Sequence, residues 1–177
     1  TEGAFLLFME DNKADYGQYR TDFKLESQLP FTTENKYMAT SGVSAVSKKH
    51  VVHIKGAPER VIDFCNSEIA GGTGNGVYET KTLDESRKKE ILEKITEYQN
   101  RGMRAIGFAY EEVADSSAVS LDKLSAKMSW LGYIIIEDPP RADVADAIEM
   151  CRKAGIDVKI ITGDNPLTAA EIGNQVK

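Results

Sequence analysis

The spacing of apolar residues changes along the first third of the chain from a helical period to stretches rich in β-forming residues. Residues 2–11 place apolar side chains at helical spacing, which predicts a helix. Residues 23–31, 36–46 and 49–55 are rich in β-formers and are separated by short polar connections, which predicts three strands. Because short loops join neighbouring antiparallel strands, we expect an antiparallel sheet with flanking helices, an α+β fold.

Helical spacing returns at Pro58, since proline suits the first turn of a helix. The clearest predicted helix covers residues 84–101, with one apolar stripe, charges elsewhere and Gly102 as its stop. We expect strands at 103–110 and 128–137, with a short helix at 120–127 between them.

The composition changes at residues 138–141, Asp-Pro-Pro-Arg, where two prolines disfavour both helix and strand. We place a domain boundary here, between domains at 1–137 and 138–177. Beyond it, residues 142–154 predict an amphipathic helix. The apolar run 156–161 predicts a strand buried on both faces of a parallel sheet. A further helix is expected from Pro166.

Composition and charge narrow the class of protein. The chain has 177 residues, 41% hydrophobic and 28% charged, which is typical of a globular protein with one main core. Its net charge of −6 disfavours nucleic acid as a partner. No apolar run reaches the length of a membrane span, and no signal peptide is recognisable. Cys65 and Cys151 are expected to be free thiols in the cytosol.

Two groups of residues indicate nucleotide chemistry. Phe31, Lys36 and Lys55 are expected on neighbouring strands, and an aromatic ring beside basic groups is a common way to hold a nucleotide. Gly56 next to Lys55 would leave space for a flat ring. Residues 162–165, Thr-Gly-Asp-Asn, follow the apolar run and precede a helix, a position that suits a phosphoryl oxygen. Capping of that helix by Asp164 is the alternative interpretation.

Three other patterns do not predict ligand sites. The Gly-rich run at 71–76 lacks the Lys-Ser/Thr of a phosphate loop and is interpreted as a flexible turn. Residues 11–15 miss the calcium-loop pattern because Lys13 stands where an oxygen ligand is needed. His50 and His53 are expected to share a strand face, but no third ligand is near, so no metal site is predicted.

Six short motifs, in this order, resemble those of the P-type cation-transporting ATPases. They are Thr-Glu-Gly-Ala at 1–4, Phe31 with Lys36, Lys-Gly-Ala-Pro-Glu at 55–59, Gly-Met-Arg at 102–104, and the motifs at 138–141 and 162–165. The resemblance covers the whole chain and is closest to the type II branch of calcium and sodium/potassium pumps. It implies a nucleotide-binding domain followed by an incomplete α/β segment of the haloacid-dehalogenase-like phosphorylation domain.

The resemblance also implies roles for individual residues. The residues implied in nucleotide binding are Glu2, Phe31, Lys36, Met38, Lys55, Gly56 and Arg104. Those implied at the hinge are Asp138, Pro139, Pro140 and Arg141, and those implied beside the transferring phosphoryl group are Thr162, Gly163 and Asp164. The sequence departs at Thr33, where calcium pumps of the sarcoplasmic type carry an arginine. Residues 128–137, 142–154 and 156–161 suggest one βαβ unit on spacing alone, whereas the family assigns the first strand to the nucleotide domain.

The family's phosphorylated aspartate, in an Asp-Lys-Thr-Gly-Thr motif, does not occur in this sequence. We therefore expect a cytosolic fragment of a membrane pump that binds ATP or ADP without turnover. In the intact pump it would receive ATP with Mg²⁺ and deliver the γ-phosphate to that aspartate, alongside the phosphorylation, actuator and membrane domains. Calcium is the first expectation for the transported ion. The alternatives are a free-standing haloacid-dehalogenase-type phosphatase and a non-catalytic interaction module.

The tail carries an expectation of its own. Its apolar run at 156–161 lacks the neighbouring strand that the family supplies, and unpaired strands tend to recruit partners. We expect either the helix at 142–154 to cover this run or a second copy of the chain to pair along it.

Overall fold

The computed structural model describes residues 2–45, 47–72, 78–115, 124, 126–137, 140–162 and 166–176. Its helices are α1 (Glu2–Asp11), α2 (Tyr16–Asp22), α3 (Pro58–Val61), α4 (Glu85–Gln99), α5 (Val144–Lys153) and α6 (Pro166–Gln175). Its strands are β1 (Lys24–Leu29), β2 (Tyr37–Val43), β3 (His50–Gly56), β4 (Cys65–Gly72), β5 (Tyr78–Thr82), β6 (Arg104–Val113) and β7 (Met128–Ile136). None of the helices described is both long and apolar enough to cross a bilayer.

The strands form one mixed sheet in the order β1-β2-β3-β6-β7-β4-β5. Antiparallel pairing joins β1, β2, β3 and β6 in turn, and also joins β4 to β5. The expectation of a purely antiparallel sheet is wrong at one place, because β4 pairs with β7 in parallel. Parallel neighbours need a long crossover, and here the connection runs through β5, α4 and β6. The α+β class is confirmed.

Most of the predicted elements are present with shifted ends. The helix at 84–101 is α4, and Asp84 starts it by accepting the Arg87 backbone N–H at 2.8 Å. Gly102 stops it with a φ of 81°, as expected of a glycine there. Helix α2 and the hairpin β4–β5 were not predicted. The residues predicted as the short helix at 120–127 lie mostly outside the described ranges.

By packing, the chain divides into two compact units. The first contains Thr1–Leu92 and Ile106–Ile134, and the second contains Glu93–Ala105 and Ile135–Lys177. Strand β7 is part of the seven-stranded sheet, and the assignment of this strand to a nucleotide domain stays a prediction. The boundary predicted at residue 138 stays a prediction.

The core of the first unit lies on one face of the sheet, where Val52, Ile54 and Ala109 are almost fully buried. Gly107 allows Trp130 to pack there, because a Cβ on Gly107 would lie 2.6 Å from the Trp130 ring. That distance is far below van der Waals contact, so any larger residue would displace the indole.

A buried carboxylate fastens α4 to the β4–β5 hairpin. Glu68 is 6% exposed, and its Oε1 accepts from Arg87 Nε at 3.0 Å and lies 3.2 Å from Lys81 Nζ. Arg87 also pairs with Glu90 at 2.7 Å. Hydrogen bonds to Glu90 and Glu68 raise the pKa of Arg87 above its ordinary value, so this cation stays charged.

The predicted strand at 156–161 is wrong, since residues 156–162 are described and form no strand. The segment leaves α5 at Gly155, which has a φ of 75°, and the Ile156 N–H bonds to Cys151 O at 2.9 Å. Its apolar side chains stay exposed, from 45% at Val158 to 96% at Ile161, so covering by the helix at 142–154 is also wrong. A strand needs ladder partners, which no other described residues supply here. Self-association along this segment stays a prediction.

We expect Glu68→Gln to lower the free energy of unfolding by about 1–3 kcal/mol, because Arg87 and Lys81 lose their shared carboxylate in a buried position. Urea unfolding measures the change. Glu85→Gln is the matched control, since its carboxylate is 89% exposed and pairs with Lys88 only at the surface. Equal stability of the two variants would contradict a role for Glu68 in fastening α4.

Candidate functional site

The face of the sheet opposite the core carries two of the residues predicted for nucleotide binding. Side chains alternate along a strand, so Met38 and Lys55 point away from the buried Ala39 and Ile54. Met38 lies directly opposite Lys55 in the β2–β3 ladder, and Lys55 lies opposite Phe108 in the β3–β6 ladder. Register therefore places these side chains in one row.

A cavity of about 340 Å³ opens on this face. Its polar lining residues are Thr40, His53 and Lys55, and its main apolar ones are Met38, Phe108 and Leu131. An apolar cavity with a few polar groups is the usual character of a small-molecule site. The two predicted residues Met38 and Lys55 thus share one concave surface.

Helix α1 contributes an aromatic side chain beside the cavity. The ring of Phe5 meets the ring of Phe108 edge to face, with centroids 5.7 Å apart. The ammonium of Lys55 lies 5.3 Å from the centroid of the Phe5 ring, within the range of a cation–π contact. Phe5 therefore holds both the aromatic wall and the cation of the cavity in place.

The backbone of Lys36 lies against the end of β3. Lys36 has a φ of 59°, and its carbonyl accepts the Ala57 N–H at 2.9 Å. A Cβ on Gly56 would collide with this carbonyl and would lie 2.6 Å from Tyr37 Cα. Gly56 is therefore required for a close approach of two backbones, which differs from the expectation that it leaves space for a flat ring.

Phe31 and Lys36 lie in the connection between β1 and β2, so their expected place on strands is wrong. Pro30 ends the strand because it cannot donate to a ladder. The turn that follows is closed by Thr32, whose hydroxyl accepts the Asn35 N–H at 3.1 Å. Phe31 is 60% exposed and is not part of the lining of the cavity.

The remaining predicted site residues are not gathered at this cavity by the described structure. Glu2 is the first residue of α1, and its side chain is outside the description. Arg104 begins β6 and belongs to the second unit. Asp138, Pro139, Gly163 and Asp164 lie outside the described residues, whereas Pro140, Arg141 and Thr162 are described. Arg141 pairs with Asp143 at 3.7 Å.

Sequence reasoning missed His53 as a lining residue. It predicted that His50 and His53 share a face, but the two are three residues apart and so point to opposite faces of β3. His53 lies opposite Thr40, two residues before Lys55 on the same face of β3. Because side chains on a strand alternate between faces, the position of Lys55 alone could have indicated His53. Burial lowers the pKa of His53, so its imidazole is neutral near pH 7.

A second cavity of about 390 Å³ lies elsewhere on the first unit and differs in charge. Tyr78, Tyr110, Lys49, Lys127, Glu111 and Glu112 contribute to its lining. Lys49 is paired with Glu112 at 2.6 Å, and burial together with Glu112 and Tyr78 raises the pKa of the Tyr110 hydroxyl. Its two lysines are balanced by two carboxylates, so this cavity offers a polyphosphate no net positive charge. Within the described ranges, no group of three or more His, Cys, Asp or Glu is placed to bind a metal ion.

Similarity to known proteins identifies the family of this chain. Residues 1–143 match the family model described as "P-type ATPase, cytoplasmic domain N". The chain belongs to the P-type ATPase family. The matched residues include the first five of the six motifs, whereas the motif at 162–165 lies beyond them.

Three relatives show the breadth of this P-type ATPase similarity. The chain is 33% identical over 184 residues to the sodium/potassium-transporting ATPase subunit alpha-4 of Rattus norvegicus, covering 99% of this chain and 17% of the relative. The human subunit alpha-4 is 30% identical over the same shares. Calcium-transporting ATPase 1 of Saccharomyces cerevisiae is 34% identical over 149 residues, 84% of this chain and 15% of the relative. The chain thus spans less than a fifth of the length of these relatives.

We expect Phe5→Ala to lower the free energy of unfolding by about 1–3 kcal/mol, because α1 loses its contacts with Phe108 and Lys55. Thermal or urea unfolding gives the value. Phe8→Ala on the same helix is the control, since Phe8 is 52% exposed and should change stability by no more than about 0.5 kcal/mol. A Phe5→Ala variant as stable as Phe8→Ala would show that α1 is not docked through Phe5.

Proposed function

We propose that this chain is the ATP-binding part of a P-type cation-transporting ATPase. The observation that carries the proposal is the cavity of about 340 Å³ in which Met38 and Lys55, both predicted for nucleotide binding, lie side by side. Its lining contains a cation and no carboxylate, which suits a base with an attached polyphosphate. The second cavity has a comparable size, but its two lysines are balanced by two carboxylates.

Each predicted residue has a physical role in this proposal. Met38 and Phe108 form the apolar wall for the base, and Phe31 stacks on it from the neighbouring connection. Lys55 and Lys36 neutralise phosphate charge. Glu2 contacts the amino edge of adenine. ADP binds through the same groups.

In the parent pump, we propose, this domain would bring bound ATP with Mg²⁺ to the catalytic aspartate of the phosphorylation domain, which this sequence lacks. Asp138, Pro139, Pro140 and Arg141 form the hinge, and Thr162, Gly163 and Asp164 belong to a haloacid-dehalogenase-like segment that supports the phosphoryl group. Phosphoryl transfer depends mainly on positioning and charge, so binding and chemistry can reside on different domains. The domain faces the cytosol beside the actuator and membrane domains.

We further propose that the parent pump transports a metal cation, and we leave the identity of that cation open. Relatives with names that state sodium/potassium and calcium transport match to similar degrees, 33% and 34% identity. Family membership disfavours the free-standing phosphatase. The cavity with Lys55 at its wall disfavours an interaction module without nucleotide binding.

Phe31→Ala is expected to weaken ATP binding by about 1–3 kcal/mol, the usual loss when an aromatic ring that stacks on a base is removed. Isothermal titration calorimetry on parent and variant gives the difference. Phe8→Ala removes a similarly exposed ring from α1, 52% against 60% for Phe31, and should bind ATP like the parent. Equal affinities for Phe31→Ala and the parent would remove Phe31 from the site.

Bound ATP is expected to slow labelling of Lys55 by an amine-directed reagent, because the nucleotide would cover the cavity wall. Lys89 is the comparison residue, since it lies on the exposed side of α4. Lys88, on the same helix, is unsuitable because only 17% of its side chain is exposed. Mass spectrometry after partial labelling measures each rate. If saturating ATP leaves the labelling rate of Lys55 unchanged, the nucleotide does not bind at this cavity.

ATP hydrolysis by this chain is expected to stay at background, because the attacking carboxylate of the family motif does not occur in the sequence. Phosphate release during incubation with Mg-ATP tests this. A steady rate that persists through purification and is abolished by Thr162→Ala would contradict the proposal that this chain is only the binding part.

A further inference from the structure

The cavity contains two neutral polar side chains that the nucleotide proposal has not used. Besides Lys55, the polar lining residues are His53 and Thr40, which face each other across the β2–β3 ladder. This row lies two residues from the Met38–Lys55 row, about 7 Å along the strands. The rest of the lining is apolar. In such cavities a few polar groups fix the orientation and identity of the ligand.

The ring of His53 is held in position on one side. It packs against the ring of Phe23, with centroids 5.3 Å apart and planes inclined by 39°. Among the residues that the structure describes, its ring nitrogens have no hydrogen-bond partner. Because burial keeps the imidazole neutral, it offers one N–H donor and one bare nitrogen acceptor. A ligand in the cavity could satisfy these groups.

We propose that His53, assisted by Thr40, hydrogen-bonds the same polar edge of the base that Glu2 contacts, and that it contributes to which purine the cavity accepts. This inference rests on the proposed ATP site and adds a specificity-determining residue to it. A neutral donor–acceptor pair suits a base edge, whereas the charged phosphates suit Lys55. Adenine and guanine exchange an amino donor for a carbonyl acceptor on that edge. A ring held by Phe23 can match one base better than the other, because the wrong base leaves a buried polar group unpaired.

The experiment compares ATP and GTP binding to the parent chain and to His53→Leu by calorimetry. Loss of a neutral hydrogen bond is expected to weaken ATP about fivefold to tenfold. It should weaken GTP less, so the ratio of the two affinities falls. His53→Gln, which keeps a donor and an acceptor, should restore part of the ratio. His50→Leu is the matched control, because His50 is on the same strand, near Glu26, and does not line the cavity.

A second measurement does not depend on a variant that folds. The sequence contains two histidines, so their imidazole ¹⁵N resonances can be assigned in the parent chain. We expect ATP to shift the His53 resonances, GTP to shift them differently, and neither nucleotide to shift those of His50.

The outcomes separate the two proposals. Suppose that the parent binds ATP and that Phe31→Ala weakens this binding. If His53→Leu then leaves the ATP affinity and the ratio of ATP to GTP affinity unchanged, the role of His53 is wrong and the ATP site stands. His53 resonances that saturating ATP leaves unmoved would also overturn the role of His53. If the parent binds neither nucleotide, the ATP site itself is wrong and the role of His53 falls with it.

Discussion

The register between β2, β3 and β6 determines the chemistry of this domain. Because Met38, Lys55 and Phe108 are direct cross-strand neighbours, an apolar side chain, a cation and an aromatic ring share one row on one face of the sheet. A slip of one residue in β3 would turn Lys55 toward the core and Ile54 toward the cavity. The core side of the sheet prevents that slip, since Ile54 and Val52 are almost fully buried there.

Contacts on both sides of the sheet support the elements around this row. On the core side, Gly107 gives Trp130 the room to pack, and the ion pairs of Glu68 with Lys81 and Arg87 join the β4–β5 hairpin to α4. On the cavity side, Phe5 of α1 contacts both Phe108 and Lys55. The cavity is therefore supported by the sheet and by α1, whereas Phe31 is exposed in the connection between β1 and β2.

Sequence patterns predicted those elements whose ends and buried face are marked by nearby residues. Helix α4 has a cap at Asp84, an apolar stripe and a stop at Gly102, and these suffice from sequence alone. The pairing of β4 with β7 escaped prediction because it joins strands far apart in the chain. The run at 156–161 has the composition of a buried strand, but a strand also needs partners, and the described chain gives it none. Met38 and Lys55 were predicted from motifs, whereas His53 needed the cross-strand register to be noticed.

The most direct test of the central claim is a nuclear magnetic resonance titration of the ¹⁵N-labelled chain with ATP. The account predicts that amide resonances of Met38, Lys55 and Phe108 shift together and saturate at one affinity. Resonances around the second cavity, such as those of Lys49 and Glu112, should stay in place. Shifts confined to the second cavity, or no shifts at millimolar ATP, would contradict the claim that this face of the sheet binds the nucleotide.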